Sequence, residues 1–157
     1  MDKSLERQVK DAIFERLGEL PDVASVSSSG RAQIVAEGDL PDGEPAVFVT
    51  FPSSRKIGAS GFVCVLIPVY VEAKFRFEGD LDEMDMETVR DTLDAFEQQV
   101  EAAMREDPTW GGLAADTRWQ ERNFKATSED VNAPEASVFL AYEVEIHHPT
   151  DDPCAAV

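Results

Sequence analysis

Hydrophobic residues recur at steps of three and four positions in two parts of the chain, the spacing that places them on one face of an α-helix. The first part covers about residues 3–20 and stops at Pro21, and the second covers residues 80–107 and stops at Pro108. Proline ends a helix because it has no N–H to donate and disfavours helical geometry in the residue before it. The apolar positions of the second part are Met86, Val89, Leu93, Phe96, Val100, Ala103 and Met104. We therefore predict two amphipathic helices, the second with Asp82 or Asp85 as its N-cap.

Other stretches show the alternating or continuous apolar pattern of β-strands. They are residues 32–36, 46–51, 62–77, 113–120 and 136–148. Alternation places Phe75, Leu140 and Val144 in the core. Pro68 cannot donate to a strand ladder, so we expect a bulge, a bend or an edge there. The segments predicted to be long loops are residues 39–45, 52–60 and 123–135.

The element order α-β-β-β-α-β-β predicts an α+β fold, a mostly antiparallel sheet of four to five strands with two main helices packed on one face. At 157 residues the chain fits a single domain spanning 1–157. No stretch is apolar enough to cross a membrane, and the charged start lacks a secretory signal, so we expect a soluble protein without a membrane partner. Residues 149–157 show no periodicity, which is compatible with a tail that stays disordered until something orders it.

The formal net charge is −18. Nucleic-acid binders need clustered Lys and Arg, so this charge argues against specific nucleic-acid binding. Acids are concentrated in the second helix, where twelve acidic residues between Glu78 and Asp107 face only two basic ones. The acids of the helix that we expect on a solvated face are Glu87, Asp91, Asp94, Glu97 and Glu101.

The sequence contains none of the phosphate-binding, dinucleotide-binding, nucleophile-elbow or zinc-protease motifs. Its two cysteines, Cys64 and Cys154, indicate neither a disulfide framework nor a zinc-ligand pair. His147 and His148 precede Asp151, Asp152 and Cys154, a mixture able to ligate metal or transfer protons. Adjacent strand residues point to opposite faces, however, so we read the two histidines as the ordinary end of a strand. We expect no catalytic, metal or cofactor site.

Three further features are candidates for contacts with other protein chains. Asp107 to Leu113 reads Asp-Pro-Thr-Trp-Gly-Gly-Leu, in which Gly111 and Gly112 permit a sharp reversal. Trp110 in this turn is either a core plug or an interface anchor, whereas Trp119 is most simply a core residue. Arg55 and Lys56 make one loop locally basic, so it either touches an acidic neighbour or is an ordinary exposed loop.

The succession of these elements resembles the tail terminator family of long-tailed bacteriophages, also called tail completion or minor tail proteins. The matching parts are the long strand over residues 69–77, the acidic helix through Val100 and Met104, the turn from Asp107 to Leu113, and the last strand followed by Asp152-Pro153. Trp110 replaces the leucine that is usual in the turn.

The resemblance implies a structural protein rather than an enzyme. Such proteins form a ring, commonly of six subunits, that caps the completed tail tube, stops its polymerisation and offers a surface to the head-tail connector protein. The expected partners are further copies of the chain, the tail tube protein and the connector. The expected location is the virion tail, assembled in the bacterial host cytoplasm.

Within this picture the acidic helix is a candidate lining of the ring lumen, where carboxylates would repel DNA phosphates. Arg55, Lys56, Trp110, Gly111 and Gly112 are candidate interface residues. The alternatives are a neck or head-tail joining protein, a small acidic inhibitor that mimics DNA, and, third, an enzyme that uses His147 or His148.

Overall fold

The computed structural model describes residues 2–20, 25–27, 46–76, 86–127 and 135–157. The predicted strand at 32–36, the loop at 39–45 and the proposed N-caps Asp82 and Asp85 lie outside these ranges. The backbone is described at Phe75, Glu87 and Val89 but their side chains are not, so their predicted placements also lie outside the description.

Helix α1 spans Leu5–Gly18. Ser4 caps its start, because the Ser4 hydroxyl oxygen accepts a hydrogen bond of 3.3 Å from the backbone N–H of Arg7. The residues buried on its inner face are Leu5, Val9, Ile13 and Leu17. This is the face that the spacing predicted.

Helix α2 spans Met86–Glu106. Its described buried side chains are Leu93, Phe96, Val100, Ala103 and Met104, as predicted. They join the inner residues of α1 in one hydrophobic cluster with the strands. Burying each large side chain contributes about 1.5–3 kcal/mol before chain entropy is subtracted. No helix in the described ranges is long and apolar enough to cross a membrane.

The strands form one sheet in the order β1-β2-β4-β6-β5, with β3 also paired to β4. Their bounds are β1 Ser25–Ser27, β2 Ala46–Thr50, β3 Arg55–Ala59, β4 Phe62–Arg76, β5 Asp116–Thr127 and β6 Glu135–Pro149. Among the described strands, β1 and β2 run parallel and every other pair is antiparallel. The α+β fold with a mostly antiparallel sheet is therefore confirmed.

Strands β4 and β6 form the centre of the sheet. They pair without interruption from Phe62 opposite Pro149 to Arg76 opposite Glu135. Pro68 lies where the other side of β4 changes partner, since β3 ends its pairing at Leu66 and β2 begins at Tyr70. Pro68 therefore lies at a local edge of the sheet on that side, one of the predicted alternatives.

Alternate residues of β4 and β6 face the helices and are buried there, among them Leu140 and Val144 as predicted. The residues between them form what we call the outer face of the sheet. In the described ranges, no helix packs against the outer face. The described elements therefore form two layers, with both helices on one face of the sheet.

Three predictions about the strands and loops are wrong. The predicted loop at 52–60 contains β3, whose five residues are all exposed and so leave no hydrophobic signal. The predicted loop at 123–135 begins too early, because β5 continues to Thr127. Trp119 is not a core residue: it is 50% exposed, on an edge strand, next to a β-bulge that shifts the register before Glu121.

The C-terminal residues pack on α1 instead of forming a free tail. The backbone N–H of Leu5 donates to the Pro153 carbonyl over 2.8 Å, and the Gln8 side-chain amide donates to the Cys154 carbonyl over 3.0 Å. The Val157 N–H also donates to the His147 carbonyl. These contacts hold the last residues of the chain against the first turn of α1 and the end of β6. The sequence did not reveal them, because residues 149–157 have no hydrophobic period.

Arg16 connects the two helices. One terminal nitrogen of its guanidinium donates to the carbonyls of Ala103 and Asp107, at 3.1 and 3.2 Å, near the end of α2. The guanidinium carbon also lies 3.8 Å from the centroid of the Trp110 ring. A cation at this position satisfies free carbonyls and complements the negative end of the helix dipole.

We expect Arg16→Ala to lower the free energy of unfolding by about 2–3 kcal/mol, because two charge-assisted hydrogen bonds and a cation–π contact are lost together. Arg7→Ala is the matched control on the same helix. Arg7 pairs only at the surface, with Asp11, so this change should cost less than about 0.5 kcal/mol. Urea unfolding of both variants measures the difference, and equal losses would contradict the role of Arg16.

For Tyr142 we expect the opposite of Arg16: removing its polar group should not lower the free energy of unfolding. Its ring is buried and its hydroxyl has no hydrogen-bond partner in the described part of the chain. Burial, with Glu101 nearby, raises the pKa of this hydroxyl. We expect Tyr142→Phe to leave stability unchanged or to raise it by up to about 1 kcal/mol, since a desolvated hydroxyl is removed. Tyr142→Ala should instead cost about 3–5 kcal/mol by opening a cavity. A clear loss in the phenylalanine variant would show that the hydroxyl has a partner.

Candidate functional site

The turn between α2 and β5 is organised by the Asp107 carboxylate. It accepts hydrogen bonds from the Thr109 N–H at 3.0 Å, the Thr109 hydroxyl at 2.6 Å and the Gly111 N–H at 2.7 Å. These bonds lower the pKa of Asp107, the Thr109 hydroxyl having the largest effect. Trp110, Gly111 and Gly112 all adopt positive φ, at 53°, 73° and 87°. The glycines accept this conformation at little cost, and the Asp107 bonds help to hold Trp110 in it.

Trp110 serves as a core plug. Its side chain is only 3% exposed, and its indole N–H donates to the Thr117 hydroxyl over 2.8 Å. That hydroxyl in turn donates to the Pro108 carbonyl. The indole is therefore not available as an interface anchor in this structure, whereas Gly111 and Gly112 remain exposed on the turn.

The acidic face of α2 is partly neutralised. Asp91 and Asp94 are exposed, but Glu97 is only 15% exposed and forms an ion pair with Arg122 of β5. The same guanidinium lies 3.4 Å from Asp94. The expected acidic surface is thus confined to fewer residues than the helix alone indicated. No sequence signal predicts this pair, because strand alternation places Arg122 on the face opposite Trp119 and only the β-bulge before Glu121 turns it towards α2.

The outer face of the sheet brings together three residues that the sequence analysis did not combine. Cys64 of β4 lies directly opposite His147 of β6, and Glu145 is two positions before His147 on the same face. The Cys64 sulfur is 3.7 Å from one Glu145 carboxylate oxygen, and the His147 Nε2 is 3.5 Å from the other. Burial, together with the Glu145 carboxylate, raises the pKa of the Cys64 thiol.

His148 and Cys154 are not part of this group. His148 lies on the inner face and is 8% exposed, with its Nδ1 2.7 Å from the Pro149 carbonyl oxygen. The cluster suggested by sequence, which combined both histidines with the C-terminal acids, is therefore divided between two faces, as strand geometry requires. Asp151 and Asp152 are exposed beyond the end of β6.

The basic residues Arg55 and Lys56 belong to the edge strand β3 and are exposed. They lie on the side of β4 opposite β6, so they are separated from α2 and β5 by the width of the sheet. The two candidate contact regions therefore carry opposite charge and occupy opposite edges.

Between the carboxyl-terminal halves of the two helices lies an open cleft of about 560 Å³. Its lining residues are Arg16, Glu19, Leu20, Gln99, Ala102, Ala103 and Glu106. Arg16 is already engaged with α2 carbonyls, so this cleft offers chiefly apolar walls and the Gln99 amide, whose oxygen has no partner in the described ranges.

The Asp107 turn predicts a specific pH dependence. A carboxyl whose folded pKa is lowered contributes stability above its unfolded pKa, near 3.9, and loses it as pH falls through the folded value. We expect Asp107→Ala to lower the melting temperature at neutral pH and to flatten its decline on the acid side. Thermal unfolding at steps from about pH 6 to pH 2.5 measures both. Asp151→Ala, an exposed acid outside the turn, should behave as wild type.

Compared with models of protein families, the chain matches none, and no curated protein matches it significantly.

Proposed function

We propose that this protein is a structural bacteriophage or prophage protein that assembles as a ring of six subunits on the end of a tail tube. In this role it stops tube polymerisation and presents a surface to the head-tail connector. It acts in the virion tail after assembly in the host cytoplasm. The proposal rests on the resemblance of the element order and of the turn from Asp107 to Leu113, and on the surfaces described above.

The observation that supports ring formation best is the difference between the two edges of the sheet. At one edge β3 pairs only with β4 among the described strands, and at the other β5 pairs only with β6. Within the described residues, each edge offers backbone N–H and C=O groups to which a neighbouring chain can pair. A head-to-tail contact between two different surfaces closes into a ring when its rotation allows.

The charges near the two sheet edges also favour a contact between unlike edges of neighbouring subunits. Arg55 and Lys56 are exposed on β3, whereas the exposed Asp91 and Asp94 lie on α2 close to β5, as the contact between Asp94 and Arg122 establishes. Bringing β3 of one subunit to the α2 and β5 edge of the next would oppose unlike charges. Contact between two β3 edges would oppose like charges, which disfavours a two-fold dimer through that edge.

The net charge of −18 affects how such a ring forms. Self-repulsion opposes association at low ionic strength, whereas at about 0.15 M salt the Debye length shortens to about 8 Å. Assembly should therefore require physiological salt or a tail tube as a template. A strongly acidic ring would also bind passing DNA weakly, which suits a conduit.

A small acidic DNA mimic is the second candidate, supported by the exposed Asp91 and Asp94. It is less well supported because Arg122 neutralises part of the acidic face, and a guanidinium there would repel the basic groove of a nucleic-acid enzyme. A neck or head-tail joining protein would share the ring but bind the connector rather than the tube end.

We expect light scattering to find a discrete ring at physiological salt, alone or with purified tail tubes, and a smaller species at low salt. Arg55→Glu combined with Lys56→Glu should raise the concentration needed for assembly at least about tenfold, because two attractive contacts become repulsive. Lys3→Glu with Arg7→Glu makes the same change of charge on α1 and should assemble as wild type. Equal loss in both pairs would show that only net charge matters.

The tube itself gives the functional readout. Electron microscopy with labelled protein should place it at tube ends, and adding it to polymerising tube protein should shorten the tubes. Wild-type protein that remains monomeric, ignores tube ends and binds a basic nuclease would overturn the proposal in favour of the DNA mimic. Binding to isolated connectors but not to tubes would favour the joining protein.

A further inference from the structure

The outer face of the sheet carries a group of three metal-binding side chains of different chemistry. The Cys64 sulfur, a Glu145 carboxylate oxygen and a His147 ring nitrogen all lie within 4.8 Å of one another. Thiolate, imidazole and carboxylate are the three protein ligands that Zn²⁺ accepts. We propose that Cys64, Glu145 and His147 bind one divalent transition-metal ion, with Zn²⁺ the best match. This site is independent of the ring proposed above.

The distances suit a tetrahedral ion. Zinc bonds of about 2.0–2.3 Å place neighbouring ligand atoms about 3.3–3.8 Å apart in a tetrahedron. The Cys64 sulfur is 3.7 Å from one Glu145 carboxylate oxygen and the His147 Nε2 is 3.5 Å from the other, and one ligand atom from each residue lies within 4.8 Å of the other two. Small side-chain rotations would bring the three atoms into that range. All three side chains are partly exposed, so water can reach a fourth position on the ion.

The backbone holds these ligands in register. Cys64 and His147 are directly opposite each other within the longest ladder of the fold, and Glu145 shares their face. Phe62 lies beside the His147 imidazole, with ring centroids 5.3 Å apart, and restricts its rotation. Ligands on paired strands lose less conformational freedom on binding than ligands on a loop, so such a site is partly preorganised.

The charged residues around the site allow Glu145 to bind a cation. Arg118 lies 3.6 Å from Glu145, but it is closer to Glu143, at 3.1 Å, and also contacts Asp116 at 3.4 Å. It would therefore keep two carboxylate partners if Glu145 turned to a metal ion. Arg55 of β3 also acts electrostatically on Cys64. Metal binding would displace the thiol proton, and the resulting thiolate together with Glu145 would balance the two charges of the ion.

The simpler reading of this group is a thiol that donates a weak hydrogen bond to Glu145, with His147 covering it. At 3.7 Å the sulfur contact is compatible with that reading too. The two readings differ in what they predict for added metal, because a hydrogen-bonded group without metal-binding ability gives no thiolate signal with Co²⁺.

The test is a titration of the full chain with Co²⁺, the spectroscopic substitute for Zn²⁺, in reduced and metal-free buffer. Excess Mg²⁺ should be present, because hard cations occupy isolated carboxylates but compete poorly for sulfur. We expect one equivalent of Co²⁺ to bind, with sulfur-to-cobalt charge-transfer absorption in the near ultraviolet. Addition of Zn²⁺ should remove that absorption and raise the melting temperature.

The chain contains its own control, because it has one cysteine inside the site and one outside it. Cys64→Ala should abolish the charge-transfer absorption and weaken metal binding at least about a hundredfold, beyond the loss expected for a supporting residue. Cys154→Ala should leave both unchanged. His147→Ala and Glu145→Gln should weaken binding while keeping the sulfur signal, and melting without metal checks that each variant folds.

Several results would overturn the site. These are an absence of stoichiometric binding by the wild type, equal binding by the Cys64→Ala variant, or loss of the signal in Cys154→Ala, which would place the thiolate ligand near the C-terminus. If Cys64→Ala fails to fold, Glu145→Gln decides the question, since it keeps the size of the side chain and removes its charge.

Discussion

The pairing of β4 with β6 is the constraint on which the rest of the structure depends. Fifteen residues of each strand face one another without a register change. Their inner side chains are apolar, so this surface is unstable in water until something covers it. Both helices contact β6 and supply that cover. The remaining strands extend the sheet from this pair: β2 adds the buried Val47 and Val49, whereas β3 is exposed throughout.

Among the described elements, the helices cover one face of the sheet and leave the other without a helical layer. The inner face is occupied by helices, and its polar groups, such as the Trp110 indole and the Arg16 guanidinium, serve packing. The outer face instead combines thiol, imidazole, carboxylate and guanidinium groups on a rigid ladder. Chemistry and recognition in this fold are therefore expected on the outer face and at the sheet edges, where side chains keep access to solvent.

Polar contacts specify how the covering helices sit. Burial of apolar side chains supplies most of the stabilising free energy, but this free energy changes little when a helix shifts slightly on the sheet. Arg16 sets the approach of α1 to α2 through two carbonyls, and Asp107 sets the turn that carries the chain into β5. Arg122 then ties β5 to the acidic side of α2. Each contact joins elements distant in sequence, so together they select one packing among several that would bury similar area.

Periodicity along the chain determined both helices, the two long strands, the buried face of each and the α+β class. Those signals are local, since an element that buries one side must repeat its apolar residues at its own period. Only the tertiary structure decided what lacks such a period: the exposed strand β3, the exposure of Trp119, the partners of Arg122 and the meeting of Cys64 with His147. These depend on sheet register, which pairs residues separated by long stretches of chain. A sequence pattern indicates whether a side chain is buried, whereas the register of the sheet determines which residues that side chain contacts.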